Sequence, residues 1–423
     1  MQPISLDIDT SEISGQDPSK IKIVIGVTGK IDSLVSAFLL QKQGFQCIAV
    51  GILNWHDSKY NFNLDKTCSV NNLEQVKAMC DKINIPFYAV DAQKEFRELV
   101  VNEMVTDRLV GNAHWPCLQC HKLKMTLLHE KMKKLGAHFI ATGHYSKCYK
   151  NHANQTYSIH SATDRLYDQS TLLGGIPQEI LRKLILPLAE LSKTEVMKLA
   201  KKFHFGTDIP ETVEQQNLSD RMECFGTPNE FNDFVVNNVP NDFREHGSVL
   251  DAYARVPLAE HQGLYRHKIG EKDPNAEKEE KVPVEINSLE NTIYKGFIKD
   301  FECDFFQLVE VDLPPDLDRS QPMTVYCKFG TSTELVSGEI KFKNNYSMVL
   351  QLPKKIPIMA EHEVVTLYNK EGAAAKLLGR GKILYRGSFV PVDRAMRVTE
   401  ILHDEDGKPI VEELTLTRIG FKF

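Results

Sequence analysis

Long apolar runs are absent from this 423-residue chain. Even its most apolar segments, such as Ile21 to Val27, fall far short of the roughly 18 uninterrupted apolar residues that a membrane helix needs, so no membrane span is expected. Cysteine is scarce too: nine residues, an odd number, are too few for a disulfide scaffold of this length and point to a reducing compartment with mostly free thiols. The opening stretch MQPISLDIDTSEISGQDPSK has no apolar core of a signal peptide, and too many acids and too few arginines for a mitochondrial presequence. A cytoplasmic location is the default expectation. Net positive charge is also lacking: 51 Lys and Arg against 57 Asp and Glu argue against a protein that coats nucleic acid as a whole, while leaving room for a local basic patch. No internal repeat is found. What is present is 42% hydrophobic residues, enough to bury sizeable cores in two or three domains at about 100 to 200 residues each.

The pattern along the chain changes once. Residues 21–27 (IKIVIGV) read as a strand, Thr28 to Ser33 as a tight loop, and LVSAFLLQKQG as a helix ended by Gly44. Strands at Cys47 to Leu53, Phe87 to Val90 and His138 to Ala141 alternate with helices at Leu73 to Ile83, Lys122 to Leu135 and Lys193 to Phe203. Such alternation implies an α/β domain with a parallel sheet covered on both faces, which places ligands at the carboxyl ends of its strands. After about residue 225 no long helical period recurs, and strand-like runs follow at Thr324 to Phe329, Glu339 to Lys343, Ser347 to Leu352 and Glu363 to Tyr368. The charged stretch Glu271 to Lys281 reads as an exposed loop or linker.

Several constellations could carry chemistry. The Gly26 to Ser33 loop joins a strand to a helix N-terminus, where backbone N–H groups and the helix dipole suit a phosphate; it is neither GxxxxGK[ST] nor GxGxxG, and the bland alternative is a turn at Gly29 with a cap at Asp32-Ser33. Cys117-Leu-Gln-Cys120, flanked by His114 and His121, could be half a metal site, a redox pair, a reactive thiol, or buried structural cysteines. Cys224 stands alone at the change of pattern and gains meaning only beside Cys120. Ala141-Thr-Gly-His-Tyr145 ends a strand where a nucleotide could lie, and Tyr167-Asp168-Gln169-Ser170 reads as a polar loop explained by solvent exposure.

Taken in order, these segments resemble the tRNA-specific 2-thiouridylase family. Its loop GMSGGVDSSVAA matches GVTGKIDSLVSA (Gly26 to Ala37), KNWD matches around Leu53 to Asp57, and TPNPDxxCNxxIKF aligns with the segment around Cys117 and Cys120. LGADxIATGHY matches LGAHFIATGHY (Leu135 to Tyr145), DxxKDQSYFL matches Asp164 to Leu173, and LPLxxLxKxEVxxIA is nearly intact from Leu186 to Ala200. GxHxGxxxYTIGQ appears around His261 to Glu271, and LGRGKI (Leu378 to Ile383) fits the closing barrel segment.

The resemblance implies a PP-loop ATP pyrophosphatase (HUP, Rossmann-like) domain over residues 21–214 after an extension, 1–20. A small central domain over 215–295, a C-terminal β-barrel over 296–385 and a tail of unknown role, 386–423, would follow. It implies ATP-dependent 2-thiolation of the wobble uridine of tRNA, with Mg2+ accompanying the nucleotide, a persulfide-donating protein as partner, and a mitochondrial location as the alternative to the cytoplasm. Carried over by position, Gly26, Val27, Thr28, Gly29, Lys30, Ile31, Asp32, Ser33, Leu53 and Gly143 would bind ATP. Cys120 would be the nucleophile and Cys224 the persulfide carrier, able to pair as a disulfide. Trp115, Pro116 and Cys117 would face the target base, Tyr167, Asp168, Gln169, Lys328 and Phe329 the tRNA, and no metal site is implied. The chain departs from the pattern at Lys30 (a glycine in the family), Cys117 (an aspartate in many members), Trp115 (an asparagine) and Tyr167 (a lysine), and has DRME before Cys224. Those changes set up the alternative of a weakened or silent tRNA-binding relative.

Overall fold

The computed structural model of the chain describes residues 17–55, 70–203, 228–240, 245–272, 280–314, 317–332, 334–344, 346–387, 401–403 and 409–411. The N-terminal part runs β1 (Lys22–Gly26), α1 (Ile31–Lys42), β2 (Gln46–Leu53), α2 (Val70–Lys82) and β3 (Phe87–Asp91). A short α3 (Gln93–Phe96) passes through a π-helical turn into α4 (Asn102–Leu109), followed by α5 (Pro116–Lys134) and β4 (Phe139–Ala141). The hairpin β5 (Lys147–Asn151) and β6 (Thr156–His160), then α6 (Gln178–Leu181), β7 (Leu184–Ile185) and α7 (Lys193–Lys202) complete it. The sheet order is β3-β2-β1-β4-β7, with every pairing parallel.

β1 shows why this sequence makes a central strand. Side chains alternate across a strand, and in KIVIG both faces are apolar. Ile23 and Ile25 pack with Leu34, Ala37 and Leu40 of α1 and Val76 of α2, while Val24 packs on the opposite face with Met125 and Leu128 of α5. Burial of each such side chain contributes about 1.5–3 kcal/mol. The chain leaves β1 toward β2 on one side and later returns to β4 on the other. A switch point therefore opens at the carboxyl ends of β1 and β4, which is where parallel sheets bind ligands.

α5 begins at Pro116, six residues before the helix expected from periodicity, because proline at the first helical turn is pre-set for the helix. The CxxC segment therefore lies on a helix and not in a loop. A helix was not expected after residue 225, yet α8 (Pro228–Asn238) is present. Its Asn- and Asp-rich sequence is a poor helix former, and Phe234 and Val235 hold it by packing into the apolar cluster of Trp55, Met104 and Tyr265.

A four-stranded sheet follows, β8 (Gly247–Asp251), β9 (Pro257–His261), β10 (Val282–Asn287) and β11 (Thr292–Gly296), in the order β10-β11-β8-β9. Then β12 (Cys303–Asp312), β13 (Met323–Phe329), β14 (Val336–Phe342), β15 (Ser347–Ile356), β16 (Val364–Tyr368) and β17 (Leu377–Gly387) close a barrel in the order β12-β15-β14-β13-β16-β17. Its interior holds Phe306, Leu308, Cys327, Ile340, Leu350 and Leu367. The barrel docks on the first domain: Tyr368 and Leu377 join the core of Leu173, Ile176 and Ile180, and the Ala113 N–H donates to the Glu361 carbonyl at 2.8 Å. The expected α/β domain and C-terminal β-barrel are both present. A short hairpin, Ile401–His403 with Pro409–Val411, is described within the tail.

Candidate functional site

Building from the loop upward, Val27 is anchored as a core residue, its N–H donating to the Val50 carbonyl at 2.9 Å. Gly29 takes φ +78, the left-handed conformation a glycine adopts without cost. Lys30, which stands where the family loop has glycine, has φ −80 and ψ 148, ordinary extended backbone. The lysine is therefore conformationally free of strain, and the position that needs glycine has kept it. Ser33 ties the loop over the start of α1: its Oγ donates to the Lys30 carbonyl at 2.9 Å and accepts the Thr28 N–H at 3.2 Å.

Gly143, at the exit of β4, lies directly under this loop. A Cβ there would sit 2.8 Å from both the Asp32 carbonyl carbon and the Ser33 nitrogen. Glycine is thus required by close approach of backbone to backbone, and the ATGHY segment and the loop form one surface at the switch point. Asp32 turns away from this surface. Its carboxylate accepts from Lys193 Nζ at 2.7 and 2.8 Å and from the Tyr145 hydroxyl at 2.7 Å. Burial, then the Asp32 charge and hydrogen bond, push the Tyr145 hydroxyl far above its ordinary value, so it stays a donor. The Lys193 ammonium also lies 5.9 Å from the Tyr145 ring and 5.8 Å from the Tyr167 ring, a cation held between two aromatic faces. Lys193 belongs to the LPLAELSK segment, and its place here had only that motif as a signal.

Cys120 is buried on α5, and the Asn54 amide, one residue beyond β2, donates to its sulfur at 3.7 Å. Leu53 precedes Asn54 at the same strand end. Trp115, Cys117 and Leu118 pack with Leu172 and Val364 in a small apolar cluster between α5 and the barrel. Pro116 opens the helix. His121 and His114 do not converge on the cysteines. His121 Nδ1 meets the Cys117 carbonyl at 2.6 Å, and His114 Nδ1 meets Asp107 Oδ2 at 2.7 Å. Among the described residues no three His, Cys, Asp or Glu side chains gather as metal ligands, and Cys47, Cys80, Cys148, Cys303 and Cys327 are free thiols. Cys224 lies outside the described residues.

The Tyr167 to Ser170 loop is not the solvent-exposed loop the sequence suggested. Asp168 is 3% exposed: it accepts from the Ala162 N–H at 2.9 Å and the Ser170 hydroxyl at 2.9 Å, and pairs with Lys328 of the barrel at 3.4 Å. Gln169 clasps the Tyr145 backbone, its N–H donating to the carbonyl at 2.9 Å and its Oε1 accepting the N–H at 3.2 Å. Phe329 is in the barrel core against Phe306, with ring centroids 5.1 Å apart. The Asp168, Lys328 and Phe329 side chains thus face the seam and the barrel interior, and only Tyr167 and Gln169 keep partial exposure.

A second seam contact carries a pH prediction. Burial alone raises the Asp107 carboxyl, but hydrogen bonds from His114 and His362, the His114 charge and a hydrogen bond from Asn112 outweigh it and hold the group well below the usual carboxylate range. A carboxyl depressed on folding adds stability above its unfolded value of about 3.9, and that stability is lost as pH falls through the folded value. Asp107→Asn is therefore expected to flatten the acid limb of stability below about pH 5, read as urea midpoint against pH. An acid limb as steep as wild type would rule out Asp107 as a contributor.

The family model for the tRNA methyl transferase HUP domain matches residues 21–218. A tRNA-specific 2-thiouridylase MnmA of Clostridium perfringens is 27% identical over 362 residues, covering 84% of this chain and 96% of the relative. One from Natranaerobius thermophilus is 25% identical over 370 residues, covering 86% and 97%. A third, from Geobacter metallireducens, is 30% identical over 261 residues, covering 60% of this chain and 68% of its own length. With its loop, strand exit and cysteine-bearing helix assembled at one switch point and relatives matched over most of its length, the chain belongs to the tRNA-specific 2-thiouridylase MnmA family.

Proposed function

We propose that this protein catalyses ATP-dependent 2-thiolation of the wobble uridine of tRNA. The observation that carries the reading is the convergence of the PP-loop, Gly143 and the Cys120-bearing end of α5 on the carboxyl ends of β1, β2 and β4. The uridine C2 oxygen attacks the α-phosphorus of ATP and pyrophosphate leaves, which converts a poor leaving oxygen into AMP. The terminal sulfur of a Cys224 persulfide, charged by a donor protein, attacks C2 and AMP departs. The Cys120 thiolate then attacks the Cys224 sulfur, breaks the S–S bond and leaves sulfur on the base. The resulting Cys120–Cys224 disulfide is reduced by an external thiol. Asn54 orients Cys120, while Trp115, Pro116 and Cys117 border the place of the base. Among the described residues no carboxylate cluster for Mg2+ is present, and the loop carboxylate Asp32 is paired with Lys193; magnesium would accompany the nucleotide phosphates.

Domain boundaries are proposed near 214/215, 295/296 and 385/386, with β11 running to Gly296 and the barrel strand β17 to Gly387. Incubation with ATP, a persulfide donor and tRNA is expected to label the wobble uridine. Cys120→Ser is expected to lower single-turnover sulfur transfer by at least about 100-fold while pyrophosphate release persists. Sulfur transfer by Cys120→Ser at the wild-type rate would remove its assigned role. The rival reading, a silent tRNA-binding relative, is favoured by the engagement of Asp32 with Lys193. It predicts salt-dependent tRNA binding without ATP consumption, and submillimolar ATP affinity by calorimetric titration would exclude it. Wild type inert beside an active Lys30→Gly variant would establish the degenerate-loop form of that rival.

A further inference from the structure

Asp32 is the acidic residue of the first turn of α1, the helix that the nucleotide loop leads into. A carboxylate there has two opposed effects. Its charge suits the positive end of the helix dipole, and the same charge opposes any anion brought to that end. A cation from elsewhere in the chain meets the second effect. Lys193 Nζ reaches both oxygens of the carboxylate, at 2.7 and 2.8 Å, and the Tyr145 hydroxyl donates to one of them at 2.7 Å. The pair is largely withdrawn from water, with the Lys193 side chain 9% and the Asp32 side chain 18% exposed.

Three separate segments hold the lysine. Ser192 caps α7, its Oγ accepting the Glu195 N–H at 3.2 Å while the Glu195 carboxylate accepts the Ser192 N–H at 2.8 Å, so Lys193 is fixed as the first residue of the helix. Asp164 Oδ2 accepts the Lys193 N–H at 2.9 Å. Tyr145 and Tyr167, with ring centroids 6.0 Å apart, flank the ammonium at 5.9 and 5.8 Å. Tyr167 stands where the family motif DxxKDQSYFL has its lysine, so this chain offers Lys193 an aromatic face in place of a second cation competing for Asp32. A buried ion pair is a weak source of stability, because a well-packed apolar pair of similar volume often serves as well. Its place on the turn that follows the loop gives it another use.

We propose that Lys193 is a positioning residue for nucleotide binding: it cancels the Asp32 charge and fixes the first turn of α1, so that a triphosphate meets the loop with no opposing carboxylate. Lys193 touches no phosphate, since its ammonium is committed to Asp32. This rests on the nucleotide reading above. It gives the Asp32–Lys193 contact the opposite meaning from the one it has in the silent rival, where the contact marks a disused loop.

The test is calorimetric titration of the full chain with ATP and, separately, AMP, for wild type, Lys193→Met, Lys193→Arg, Asp32→Asn and the Asp32→Asn, Lys193→Met double variant. Lys193→Met leaves the carboxylate uncompensated and is expected to weaken ATP about tenfold, and AMP, which carries fewer charges, about threefold at most. The double variant, neutral at both positions, is expected to recover ATP affinity to within about threefold of wild type, and Lys193→Arg to keep most of it, because a guanidinium can also hold both oxygens. Asp32→Asn leaves the lysine unopposed and is expected to tighten ATP about threefold. Urea midpoints on the same variants separate folding from binding: a merely structural role lowers the midpoint and weakens the two nucleotides alike. If Lys193→Met fails to fold by circular dichroism, Asp32→Asn and the double variant carry the comparison. Equal losses on ATP and AMP, wild-type ATP affinity in Lys193→Met, a double variant as weak as Lys193→Met, or a weakened Asp32→Asn would each overturn the proposal, the last two by putting one of the pair on the nucleotide itself. Wild type binding neither nucleotide would remove the nucleotide reading and the proposal together, whereas ATP binding indifferent to the charge of the pair would remove the proposal alone.

Discussion

Gly143→Ala is expected to lower ATP-dependent thiolation by at least about 100-fold, the order of loss that follows a displacement near 1 Å at a reacting centre. The added Cβ would lie 2.8 Å from the Asp32 carbonyl carbon and the Ser33 nitrogen, and 3.0 Å from the Asp32 oxygen. All three are backbone atoms at the first turn of α1, so no side chain can swing away. Either β4 or the loop must move, and the loop is the weaker partner, held by Ser33 through two hydrogen bonds. The overpacking should cost about 1–3 kcal/mol of stability, a modest shift beside the loss of rate. The measurement is the rate of pyrophosphate release with tRNA present, set against ATP affinity and a denaturation midpoint. A variant that keeps the wild-type rate would separate the strand exit from the nucleotide.

What the sequence revealed follows from the range of the interactions. The inner strands β1, β2 and β4 were legible because they are largely buried and read as continuous apolar runs, IKIVIGV being the clearest, while the edge strand β3 is mostly exposed. The switch point followed from the order of those elements. The helical setting of Cys117, Cys120 and His121 was not legible, since HWPCLQCHK has no apolar period and its helix start depends on Pro116. α8 was missed because tertiary packing outweighs its composition. The polar loop at Tyr167 to Ser170 misled for another reason: Asp168 finds its cationic partner 160 residues away, in a barrel strand that no local pattern connects to it. The departure at Lys30 changes meaning as well. Sequence alone makes the lysine a threat to backbone geometry, whereas the φ of −80 places its effect in charge.

The seam that hides Asp168 supplies the prediction with the largest effect on stability. Asp168 and Lys328 side chains are 2% and 3% exposed and 3.4 Å apart. Removing one partner of a buried ion pair costs about 3–5 kcal/mol, because the remaining charge stays desolvated. Asp168→Ala is expected at the upper end of that range, since the same carboxylate also receives the Ala162 N–H and the Ser170 hydroxyl, and Ser170 in turn meets the Tyr368 hydroxyl at 2.8 Å. Lys328→Met should cost less, because Asp168 keeps those two donors. The double variant should be more stable than Asp168→Ala alone, as an alanine facing a methionine strands no charge. The test is a double-mutant cycle on urea midpoints, with limited proteolysis of the junction between the first domain and the barrel as a second readout. Additive losses in the double variant would show that the two charges do not act on one another, and the seam would then rest on the Ser170, Thr171 and Tyr368 hydroxyls and the surrounding apolar packing.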